Sequence, residues 1–157
     1  MLEIPGAPAL SAFRIAKLVQ RLAALEPAVT GLATRFVHFA DLERPLAAGE
    51  LAVLRELLTY GPRLPAQAGG GAGARVLVVP RAGTISPWSS KATDIVHVCG
   101  LGCVRRVERG IEYTLHAAQP LGSAQLARLA PLLCDRMTEM ALLEAAAAAR
   151  LFEHAAP

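Results

Sequence analysis

Aromatic side chains are scarce: 4% of 157 residues, as one Trp, two Tyr and four Phe. Cysteine is scarcer, with three, and an odd and small number excludes a disulfide-stapled scaffold. No apolar run reaches the ~18–20 residues of a membrane span. Even the run over 140–149 is interrupted by Glu144. The N-terminus lacks a basic stretch followed by an apolar core, so no secretory leader is expected. Charge of one sign is also lacking. Sixteen Lys and Arg stand against 13 Asp and Glu, for a net +3. A nucleic-acid surface would need a clustered basic stripe instead. What is abundant is Ala (31) and Leu (24), within a 54% apolar composition. That favours helix and suffices for one compact core. A cytoplasmic, reducing setting is the expectation.

Periodicity organises the chain. Leu2 and Ile4 precede Pro5 and Gly6 as a short strand. Ser11 is an N-cap candidate for a helix over 13–25, where Ile15, Leu18, Leu22 and Leu25 form one stripe. Pro27 ends it. Residues 34–42, TRFVHFADL, read as a strand with both faces partly covered. A second helix is predicted over 45–60, with Leu51, Leu54, Leu57 and Leu58 on one side. Residues 64–74 contain GGGAGA and read as a loop. They precede a strand and lack a GKS or GKT ending, which excludes a phosphate-binding glycine loop.

Residues 75–80, RVLVVP, read as an interior strand. A turn over 81–86 follows, with Gly83 shaping it. Ser86 followed by Pro87 is a strong helix start, hydroxyl at N-cap and proline at N1. That helix runs to Cys99 and stops at Gly100. Residues 104–115 alternate as a strand. Val107, Ile111, Tyr113 and Leu115 share one face, Arg106, Glu108, Glu112 and Thr114 the other, and Gly110 suits a bulge. A helix from Ser123 should break at Pro131. A last helix is predicted from Asp135 to Leu151. The alternation predicts a two-layer α/β (α+β) domain, helices packed on an antiparallel or mixed sheet. Two small α/β units are compatible with it, although no clear sequence repeat is visible.

The densest chemistry lies at the junction opening the third helix. Thr84, Ser86, Ser89, Ser90, Lys91, Thr93 and Asp94 surround the only tryptophan, Trp88. A helix start with Arg81 and Lys91 nearby attracts anions. The plainer reading is a capped helix with Trp88 packed and Lys91 paired to Asp94.

Six strings stand out along the chain: RFVHFADL at 35–42, PRAGTISPWSSKATDI at 80–95, CGLG at 99–102, RRVERGIEY at 105–113, CDRMTE at 134–139 and LF at 151–152. In these strings and their order the chain resembles the N-terminal region of large, single-chain phosphoribosylformylglycinamidine synthase. The resemblance implies a PurS-like fold of two fused half-units over 1–134. Residues 135–157 would then start the helix leading to a linker. It also implies a place in an ATP- and glutamine-dependent ligase of purine biosynthesis. That enzyme converts formylglycinamide ribonucleotide to formylglycinamidine ribonucleotide. ATP and Mg would act in the synthase core, which this sequence does not include, and no cofactor is expected on this domain. The partners implied are the enzyme's own synthase and glutaminase domains. A stand-alone bridging subunit acting in trans is the alternative, and an anion- or RNA-binding module a weaker one.

No catalytic residue is expected in this sequence. Asp94 and His97, three apart on one helix, lack a matching third group. Cys99 and Cys103 near His97 form a poor zinc pattern without a second pair. Arg105, Arg106 and Arg109 are interleaved with Glu108 and Glu112 and have no aromatic ladder for RNA. The expected interface or substrate-proximal set is Arg81, Thr84, Ser86, Trp88, Ser89, Ser90, Lys91 and Arg109.

Overall fold

The computed structural model describes residues 2–60, 73–81 and 84–143. The elements, in chain order, are β1 (Leu2–Pro5), α1 (Ala12–Leu25), β2 (Val29–Leu42) and α2 (Ala48–Leu57). There follow β3 (Ala74–Pro80), α3 (Pro87–Val98), β4 (Val104–Ala117), α4 (Ser123–Leu129) and β5 (Glu139–Leu142). Ser11 caps α1, its side chain accepting from the Arg14 amide, and Ser86 caps α3 by accepting from the Ser89 amide. Gly100, at φ +88, ends α3. Its amide bonds the His97 carbonyl while that of Leu101 bonds Val96, and a glycine tolerates the left-handed turn this closure needs. Pro131 lacks the amide an α-helix needs, and α4 gives way to a 3-10 turn over Ala130–Leu132.

The five strands form one sheet in the order β1-β2-β4-β3-β5, with every pairing antiparallel. The two 14-residue strands, β2 and β4, pair along almost their whole length. The side chains sort by strand parity, except that a register shift between Asp41 and Leu42 brings Val104 onto the face of Val107. One face divides into two cores. Leu54 of α2, Leu58 just past its end and Val96 of α3 pack on Ile4, Ala40, Val104 and Val107. Leu22 of α1 and Leu129 of α4 pack on Leu32, Val76, Tyr113 and Leu115. The opposite face carries a third cluster of Val37, Phe39, Leu77, Val79 and Leu142.

The structure corrects several expectations. The helix predicted from Asp135 is absent over 135–142. Asp135 turns the chain instead, its side chain accepting from the Met137 amide, and β5 then pairs with β3. The apolar outer edge of β3 supplies a partner that overrides helix propensity. The remainder of that predicted helix lies outside the described residues, as do Gly83 and nearly all of the GGGAGA loop. Gly110 makes no bulge, since the β2–β4 register runs unbroken through it. Its requirement is close approach. A Cβ there would meet Val79 Cγ1 at 2.8 Å and the Val78 carbonyl at 2.9 Å. The supposed polar face of β4 is not solvated either: Glu108 is fully buried and Thr114 is buried.

Several matching features stand at one constant spacing along the chain. Ser11 and Ser86, both N-caps, stand 75 positions apart. So do Val29 and Val104, which open the two long strands. Leu54 and Leu129 keep the same offset and are both fully buried. Glu50 and Gln125 keep it too, each accepting from the amide three residues earlier. Phe36 and Ile111, again 75 apart, pair directly across β2 and β4. The short strands depart from this symmetry. Leu2 faces Ala40, but Leu77 faces Glu112 rather than Leu115. That three-residue slip turns Ile4 toward the helices and Val79 to the other face.

Candidate functional site

α3 is fastened to the sheet through one row of side chains. β3 pairs with β4 only over 111–115, leaving the earlier part of that edge to α3. Ser89 Oγ donates to the Val107 carbonyl at 2.6 Å, and the Val107 amide donates to Thr93 Oγ1 at 3.1 Å. His97 Nε2 donates to the Val104 carbonyl at 2.6 Å. These residues recur every four positions and so share one helix face. His97 therefore serves the β4 edge, where its ring nitrogen is committed to a backbone carbonyl. Cys103 is buried, its Sγ donating toward Glu50 Oε2 at 3.7 Å, while Cys99 is exposed.

A buried carboxylate holds the chain entering α3. Glu108 Oε1 accepts from Ser86 Oγ at 2.7 Å and from the Arg109 amide at 3.1 Å. Oε2 accepts from Arg106 Nη2 at 2.6 Å and from the Ser86 amide at 3.4 Å. Arg106 Nη2 also donates to the Thr84 carbonyl at 2.8 Å, and its Nε to Ser89 Oγ at 3.2 Å. The ion pair is thus wrapped in further bonds, the condition under which a buried pair is tolerated.

Beside this clamp lies an aromatic cluster built from β2, α3, β4 and the segment that follows α2. The Arg109 guanidinium sits 4.5 Å from the Phe36 ring centroid, 4.7 Å from Trp88 and 5.9 Å from Tyr60. Its Nη1 donates to the Tyr60 hydroxyl at 3.1 Å. Tyr60 in turn donates to His38 Nε2 at 2.8 Å, because His38 Nδ1 must donate to the Ile4 carbonyl, 3.3 Å away. His38 is therefore the neutral Nδ1–H tautomer. Burial pushes its pKa down to about 4, the Ile4 carbonyl opposes this, and the Arg109 charge adds to the lowering. Among the described residues Arg109 makes no ion pair. The aromatic faces take that place, each contributing ~0.5–2 kcal/mol.

The predicted residues thus divide. Ser86 and Ser89 are turned inward and bonded within the fold. Arg109 and Trp88 belong to the aromatic cluster. Arg81, Thr84, Ser90 and Lys91 are exposed. Lys91 makes no ion pair with Asp94, contrary to the plainer sequence reading. Trp88 and Lys91 instead line a cavity of about 220 Å³ between α2 and α3, with Leu57, Leu58, Tyr60 and Ala92. Sequence reading missed Glu108, Arg106, His38 and Tyr60. Phe36 and His38 sit in the RFVHFADL string, so a link to the α3 junction was available in the text. Only the register, which sets His38 opposite Arg109, makes it visible.

Among the described residues no group of three or more His, Cys, Asp or Glu is placed to hold a metal, and no helix is long and apolar enough to cross a membrane. The formylglycinamide ribonucleotide amidotransferase N-terminal family matches residues 35–152, which contain both long strands, the α3 junction and the aromatic cluster. A match over more than half of the chain settles membership: this protein belongs to the formylglycinamide ribonucleotide amidotransferase N-terminal family.

Proposed function

We propose that this chain is the noncatalytic N-terminal part of a phosphoribosylformylglycinamidine synthase, built of two fused PurS-like half-units. It docks on the synthase core of the cytoplasmic, ATP- and glutamine-dependent ligase. The family match carries the reading. The 75-residue recurrence of caps, long strands and buried leucines supports the duplication. ATP, Mg and glutamine act on the remainder of such an enzyme, and this part supplies a shaped surface. Arg81, Thr84, Ser90 and Lys91 form that surface. Their exposure is compatible with contact to another domain, and the Glu108 clamp fixes the backbone that presents them.

The test is complementation. Alone, the chain should give no formylglycinamidine ribonucleotide from formylglycinamide ribonucleotide, ATP and ammonia. Added to a family enzyme lacking its N-terminal region, it should restore turnover. Lys91→Ala should leave the urea midpoint of the chain unchanged and weaken that restoration. Turnover by the purified chain alone would sink the noncatalytic reading. Full restoration by Lys91→Ala would remove the proposed surface.

A further inference from the structure

We propose that the cavity between α2 and α3 is a binding site for a small carboxylate with a flat, single-ring apolar body. The inference does not rest on the docking role, because the cavity is a property of two helices of this chain. Its volume, about 220 Å³, exceeds the ~150 Å³ known to admit a benzene ring. It falls below the ~300 Å³ at which drug-sized sites begin. One substituted ring is the scale it fits.

The lining sets the chemistry. Leu57, Leu58, Ala92 and Val96 offer only carbon. Trp88 and Tyr60 add aromatic surface, and both rings are held from outside the cavity. Arg109 stacks on Trp88, and the Tyr60 hydroxyl is used by Arg109 and His38. The aromatic lining is therefore preorganised, which lowers the ordering cost of binding. With the Tyr60 hydroxyl committed, Lys91 is, among the described residues, the one charged lining residue, and it has no ion-pair partner among them. An apolar site with a single ammonium selects a single anionic group on the ligand. Among the described residues no acidic side chain lines the cavity to repel it.

Trp88 is the sole tryptophan, so its fluorescence reports on the site directly. The probes are phenylacetate, 2-phenylethanol and 2-phenylethylamine, which share one ring and differ in charge. Phenylacetate should change Trp88 emission along a saturable curve with a dissociation constant in the millimolar range, as expected of a fragment this small. The alcohol should bind about two- to fivefold more weakly, the scale of an exposed ion pair, and the amine more weakly still. Lys91→Met keeps the apolar stem and should make acid and alcohol bind alike. Ala92→Leu fills the cavity and should weaken all three. Lys91 is exposed, so its variant is expected to fold, and circular dichroism checks this. Linear quenching without saturation would overturn the proposal. Equal affinity for all three probes in the unaltered protein would do the same, as would a preference for the acid that survives in Lys91→Met.

Discussion

Ser11 and Ser86 do the same job at the same place in two helices, and only one of them does more. Ser11 Oγ accepts from the Arg14 amide at 3.3 Å in an exposed setting. Ser86 Oγ accepts from the Ser89 amide at 3.0 Å and also donates to the buried Glu108 at 2.7 Å. Ser11→Ala should therefore cost about 0.5–1 kcal/mol, the ordinary value of a lost cap. Ser86→Ala removes a cap and leaves a buried carboxylate short of a donor, so about 2–3 kcal/mol is expected. Urea midpoints of the two variants compare these directly; equal losses would mean that the Glu108 bond contributes nothing. His38 gives a second residue-scale expectation. Its pKa is about 4 when folded, against 6.5 as the ordinary value. Between these two values the unfolded chain takes up a proton that the folded chain refuses. Stability from this residue is thus complete above about pH 6.5, lost as pH falls towards 4, and falls no further below that. The total is at most about 3 kcal/mol. His38→Phe should flatten this limb of the stability–pH curve, and a His38 imidazole resonance titrating near 6.5 in the folded protein would contradict the assignment.

At the scale of elements, α3 is less a packed amphipathic helix than a substitute for a strand. Its Ser89, Thr93 and His97 bond the edge of β4 that β3 does not reach. Thr93→Val keeps the shape and deletes the acceptor for the Val107 amide. That amide should then exchange with solvent faster than those of its β4 neighbours, at a global cost of about 1–3 kcal/mol. Unchanged exchange at Val107 would mean that water or another group serves it. The helix itself was legible, because the Ser86–Pro87 start and the Gly100 stop are local signals. So were α1 and the apolar core of β3. Three features were not, each for a nonlocal reason. β5 is written in helix-tolerant residues, and only the waiting edge of β3 makes Glu139–Leu142 a strand. Glu108 alternates correctly as a polar position, but its face of the sheet is itself buried. Tyr60 reads as a helix end, and only the packing of α2 beside α3 brings it to Trp88, with ring centroids 6.2 Å apart. The candidate surface was named from a resemblance, and the sequence could not tell its inward serines from its exposed lysine.

The whole molecule is an exchange between halves rather than two neighbours. α2 from the first half packs with α3 from the second, on one core. α1 from the first packs with α4 from the second, on the other. Between them β2 and β4 pair along nearly their full length, and Arg35 bonds Glu112 across that seam at 3.0 Å. Arg128 of α4 likewise reaches Glu26 at the end of α1, at 3.2 Å. Among the described residues each core cluster draws on both halves, so neither half has enough apolar area of its own to bury against the entropy of ordering its chain. Residue patterns hide this arrangement because caps and spaced leucines say nothing about which core a helix will cover. The expectation is specific. Cutting the chain between Tyr60 and Gly73 should give two fragments that are each largely unfolded alone, without a cooperative urea transition. Mixed in equal amounts they should assemble one to one, recover the circular dichroism of the intact chain and unfold cooperatively. The midpoint should rise with concentration, since association now carries the cost that covalent linkage removed. A cooperative transition in either fragment alone, at a midpoint independent of concentration, would show a self-sufficient half and overturn the exchanged core.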